Sequence, residues 1–67
     1  MSAYKVIQVV GTSSKSFEDA TQAAVGAAAK SLRDLRIAEI TKLDVKVEDG
    51  KVTQFRARLA LSFKYDS

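Results

Sequence analysis

Residues 53–65, TQFRARLALSFKY, alternate cleanly. Phe55, Ala57, Leu59, Leu61, Phe63 and Tyr65 share one parity, whereas Gln54, Arg56, Arg58, Ser62 and Lys64 fall on the other. Such alternation marks a β-strand with one face turned to a core. At about 3.3 Å per residue the strand spans roughly 40 Å, long for a chain of 67 residues. Whatever this chain folds into must cover that apolar row.

The chain has few ways to do so alone. It is the length of a single domain, 1–67, near the size where one core is marginal and small proteins lean on disulfides, metals or partner subunits. Cysteine and histidine are both absent, which removes disulfides, the usual zinc ligands and the commonest general base. The longest apolar-rich stretch, Ala23 to Ala29, is mostly alanine. It falls far short of the roughly 20 residues that cross a bilayer, and the N-terminus lacks the apolar core of a signal peptide. A soluble, cytoplasmic chain is expected.

The other elements follow from local chemistry. AYKVIQVVG reads as a first strand ended by Gly11. TSSKSFEDA then supplies a helix start: Ser14 or Ser16 as cap, Glu18 and Asp19 at the positive end of the dipole, and a loose capping box in Ser16 and Asp19. The helix is expected to begin between residues 14 and 17 and run to about Arg33. Its stripe of Phe17, Ala20, Ala24, Ala28, Leu32 and Leu35 is mostly small, so the helix can approach a sheet closely while burying little area per turn. Gly26, costing about 1 kcal/mol relative to alanine, suggests a close contact on its side.

A second strand is expected from about Arg36 to Val47, with a change of phase. Ile37 shares its parity with Leu43, Val45 and Val47, but Ala38 and Ile40 do not, as a bulge near Thr41 would produce. Asp49-Gly50 in EDGK is a strong hairpin signal, so the second and third strands pair antiparallel. A helix of about 18 residues reaches roughly 27 Å, less than either arm of this hairpin. The overhang predicts a closed homo-oligomer in which other copies bury what one chain leaves bare.

Charge excludes little but favours no polyanion. Eleven basic residues stand against eight acidic ones, spread along the chain, and no basic run interleaves with aromatics as an RNA-binding sheet requires. Neither a nucleic-acid nor a membrane partner is expected. Without histidine or cysteine, catalysis would rest on Lys, Asp, Glu, Ser or Tyr, and no pair of these has a recognisable catalytic spacing. An enzyme is the weakest reading.

The ordered set YKVIQVVGTSSKSFEDA, IAEI and VTQFRARLALSFKY resembles the dodecins over nearly the whole chain. The resemblance implies an α+β fold of β-α-β-β order, with a three-stranded antiparallel sheet strongly bent around one helix. It also implies a hollow homododecamer that binds flavins (riboflavin, FMN or FAD) for storage, without turnover. Flavin-binding dodecins carry a tryptophan at the start of the second strand, where symmetry-related copies sandwich paired isoalloxazine rings. Here that position is Ile37, and the chain has no tryptophan. A glutamine of the last strand that hydrogen-bonds the flavin falls at Arg56, with Gln54 and Phe55 nearby. Isoleucine offers apolar area but no flat π face, so weakened flavin affinity is expected.

The absence of tryptophan also resembles a branch of the family that includes a calcium-binding member. Calcium or magnesium would need oxygen ligands. Asp44 is the first candidate because it sits mid-strand where a neutral residue is usual, followed by Glu39, Glu48 and Asp49, with carboxylates contributed by several copies. Two readings therefore stand beside the enzyme: a small-molecule storage shell using Ile37, Arg56 and Gln54, and a cation-binding or purely structural shell.

Overall fold

The computed structural model describes residues 3–65; the side chain of Tyr65, last in the predicted apolar row, lies outside the described set. Four elements follow one another: β1 (Ala3–Ser13), α1 (Phe17–Ala29), β2 (Leu35–Glu48) and β3 (Lys51–Tyr65). The strands form one antiparallel sheet in the order β1-β3-β2. The alternating strand is thus central, and both other strands are edges. The hairpin turn has positive φ at Asp49 (51°) and Gly50 (74°), the backbone that a two-residue connection requires and that Asp-Gly tolerates best.

The start of α1 is built as the sequence suggests. Ser16 is the N-cap, and its Oγ accepts from the Asp19 amide at 2.9 Å. The reciprocal half of the capping box does not form, because Asp19 Oδ2 instead accepts from Ser13 Oγ at 2.7 Å. Ser13, buried at the end of β1, in turn accepts from the Lys15 amide at 2.9 Å. This network ties the strand end to the first helical turn.

Two expectations about the helix need correction. It ends at Ala29 rather than Arg33. The Ser31 and Leu32 amides both turn back onto the Ala28 carbonyl, and Asp34 takes a left-handed φ of 56°, so the chain reverses early into β2. A close contact at Gly26 is also absent: a Cβ there meets nothing within 4 Å. The tight approach is at Gly11, where a Cβ would collide with the Ala20 carbonyl oxygen and lie 2.8 Å from Ala24 Cβ. Small residues on both partners let α1 sit directly on β1.

The core is correspondingly thin. Ala20, Ala24, Ala57, Leu59 and Leu61 are buried, and only the two leucines are large and fully enclosed. Ile7, Val9, Val25, Ala28 and Leu35 pack around Ala24, Leu59 and Leu61, while Phe17 meets Phe55 edge to face at 5.1 Å. The helix of 13 residues reaches about 20 Å under a molecule 51 Å long. It lies over β1 and β3, so the apolar positions of β2 on the same face, Ile40, Leu43 and Val45, stay exposed. The uncovered surface therefore lies beside the helix as well as beyond its ends.

Candidate functional site

A register shift between Ile40 and Lys42 makes Thr41 the extra residue of a β-bulge. It decides which face each β2 side chain takes. Ala38 and Ile40, opposite Leu61 and Leu59, join Leu43 and Val45, opposite Ala57 and Phe55, on the helix side. Ile37, opposite Ser62, and Asp44, opposite Arg56, point to the other face. The phase change legible in the sequence is this bulge.

On the face away from α1, Ile37 is 63% exposed. Ser62 separates it from Val6 of β1, itself exposed, and Tyr4 follows two positions along the same strand face. With small Ser62 and Ala60 as floor, Ile37 and Val6 form the walls of a shallow apolar trough about 10 Å wide, two strand spacings. Tyr4 and Val6 escaped the sequence reading because only the β1–β3 register reveals them as neighbours of the β2 position.

Six positions along β3 from Ser62, Arg56 stands opposite Asp44. Arg56 Nε donates to Asp44 Oδ1 at 2.7 Å, and Nη2 donates to Oδ2 at 3.1 Å. The hydrogen-bonded guanidinium holds the Asp44 carboxyl below its usual range; loss of solvation opposes it, and the charges of Arg56, Arg58 and Lys42 act in the same lowering direction. The same pair raises the Arg56 pKa further. Both side chains remain about half exposed, 40% for Arg56 and 47% for Asp44, so solvent screens the pair. Gln54 lies two positions from Arg56 on this face, opposite Lys46.

The structure thus brings together Arg56 and Asp44, which the sequence assigns to different ligands, and sets Ile37 roughly 20 Å from both within one chain. Within one chain both Asp44 oxygens accept from Arg56, and the charges of Arg58 and Lys42 stand nearby. Among the described residues no group of three or more acidic side chains converges on a metal position. A groove of about 630 Å³ lies elsewhere, between the open edge of β1 and α1, lined by Ile7, Val9, Val10, Ala23, Ala27 and Leu32 among others. None of Ile37, Gln54, Arg56 or Asp44 borders it. No described helix is long and apolar enough to cross a membrane.

Comparison with known proteins agrees with this architecture. The dodecin family model matches residues 3–66. A calcium dodecin of Mycobacterium tuberculosis is 45% identical over 65 residues, covering 96% of this chain and 90% of that protein. A dodecin of Thermus thermophilus is 32% identical over 63 residues, covering 94% of this chain and 91% of its own length. The solved dodecin of Streptomyces coelicolor superposes with a TM-score of 0.93 at 35% identity, covering 98% of this chain and 94% of that one. The β-α-β-β order, the sheet and the match along almost the entire sequence lead to one conclusion: the chain belongs to the dodecin family.

Proposed function

We propose that this chain assembles as a closed homododecamer and serves, without catalysing a reaction, as a storage shell for a flavin or related small molecule. The observation that carries the reading is the trough at Ile37. An apolar side chain 63% exposed on a thin single-chain core needs a cover, and a flat ring lying over Ser62 between Ile37 and Val6 supplies one. Ile37 gives that ring an apolar wall where flavin-binding relatives have an indole, so binding is weak.

Arg56 and Gln54 lie too far along β3 to touch a ring at Ile37 of the same chain. Their contribution, if the ligand is shared, comes from another copy, and the site is composite. The bare β2 face and the groove beside β1 are the surfaces that other copies would cover. Titration of riboflavin fluorescence with the native chain tests the proposal: incomplete, saturable quenching at micromolar affinity or weaker supports it. Absence of any quenching by riboflavin, FMN or FAD would overturn it.

A second reading follows from the 45% identity to a protein named calcium dodecin: a cation-binding shell in which Asp44 is joined by carboxylates such as Glu39, Glu48 or Asp49 from several copies. The bidentate hold of Arg56 on Asp44 opposes it. Calcium or magnesium calorimetry on native chain and Asp44→Asn separates the two, since the cation reading requires saturable binding that the variant loses.

A further inference from the structure

Next to the Asp44–Arg56 pair, two cations stand directly against each other. Lys42 of β2 is opposite Arg58 of β3. Like charges at directly opposed cross-strand positions repel, and among the described residues neither side chain forms an ion pair. The neighbouring carboxylate is spent: both oxygens of Asp44 accept from Arg56. Further along the face, Lys46 is drawn to Glu48 at 3.4 Å. Lys42, Arg56 and Arg58 against Asp44 leave a local excess of two positive charges.

The hairpin register sets this arrangement. Lys42 alternates in step with Asp44 and Lys46 on the face away from α1 and pairs with Arg58. The extra residue at Thr41 changes the phase only beyond Lys42, toward Ile40, and Thr41 Oγ1 donates to the Arg58 carbonyl at 3.1 Å, pinning the bulge to the strand residue that Lys42 faces. The repulsive pair is thus fixed by strand register.

We infer that Lys42 and Arg58 form a binding site for a phosphate dianion, the group presented by inorganic phosphate or by a phosphomonoester. The planar guanidinium offers paired donors and the ammonium a mobile point charge, and a dianion cancels the local excess. The site lies on the face that carries Ile37. Arg58 is four β3 positions from Ser62, about 13 Å, a span that a ring ligand with a phosphorylated side chain can bridge.

Phosphorus NMR titration of the native chain with inorganic phosphate, at ionic strength held constant with chloride, tests the site independently of any ring. Saturable binding is expected, weakened about tenfold or more in Lys42→Gln and Arg58→Gln, the order set by one unit charge beside a dianion in a largely aqueous setting. Lys42→Arg should retain it. In phosphate-free buffer of low ionic strength, Lys42→Gln should melt no lower than the native chain, because repulsion is relieved. No binding by the native chain, or binding by both glutamine variants as tight as that of the native chain, overturns the inference, as does a lower melting temperature for Lys42→Gln. Comparison of FMN with riboflavin distinguishes the phosphate source. Tighter FMN binding that disappears in Arg58→Gln assigns the site to the stored ligand, and equal affinities assign it to free phosphate. Loss of the flavin reading alone leaves the phosphate titration unaffected.

Discussion

Replacing Ile37 by tryptophan probes the proposed ligand most sharply. The side chain is 63% exposed and faces small Ser62, so an indole can lie over the sheet without displacing the core. Aromatic stacking contributes about 0.5–1.5 kcal/mol per pair beyond burial, and two faces around a ring pair give about 1–3 kcal/mol, or roughly 5- to 150-fold in affinity. The assay is riboflavin fluorescence quenching at fixed salt, comparing native chain, Ile37→Trp, and Ile37→Trp with Arg56→Gln. Glutamine both donates and accepts, as a flavin pyrimidine edge requires, whereas arginine only donates. Because Arg56→Gln also frees Asp44, Asp44→Asn is added in a parallel variant to hold the local charge constant. Nanomolar binding by the native chain would show that the pocket lies elsewhere. No gain in any of the variants would refute the stacking argument.

Three further outcomes follow from the fold. Leu43 is 50% exposed in the single chain, where a polar substitution ordinarily changes stability by within about 0.5 kcal/mol. If other copies cover it, Leu43→Asp buries an unpaired carboxylate at a cost of several kcal/mol, and size-exclusion chromatography should show lost assembly rather than a native profile. Gly11→Ala drives a methyl into the Ala20 carbonyl and should destabilise by about 1–3 kcal/mol in urea unfolding, with unchanged stability contradicting the close helix–strand contact. The lowered Asp44 pKa stabilises the fold above the ordinary carboxylate value of about 4, and that contribution is lost as pH falls through the lower folded value. The melting temperature of the native chain should therefore exceed that of Asp44→Asn at neutral pH by a small margin that closes in acid. A gap independent of pH would mean that the ion pair contributes nothing.

Much of the fold was legible because periodicity and turn chemistry agreed. The alternation of residues 53–65, the Asp-Gly turn and the Ser16 cap each rest on interactions a few residues apart, and each appears in the structure. Even the bulge at Thr41 left a trace, since Ala38 and Ile40 fall out of phase with Leu43 and Val45. The misjudged points depend on distant contacts. Gly26 and Gly11 look alike in sequence, but only the packing of α1 on β1 tells which glycine is crowded. The helix end at Ala29 is set by the need to turn Leu35 back into the core, whereas alanine-rich propensity alone carries the helix further. The bidentate Asp44–Arg56 pair and the Lys42–Arg58 opposition depend on register across a 12- and a 16-residue separation, which the hairpin turn implies but an irregularity between Lys46 and Val47 shifts by one.

The central claim is that this thin-cored chain is one part of a closed shell, and its assembled mass tests that most directly. Native mass spectrometry, with light scattering in solution as a check, should give twelve times the 7.3 kDa chain mass, with no folded monomer at micromolar concentration. A stable, folded monomer with Ile40, Leu43 and Val45 open to solvent would contradict the account.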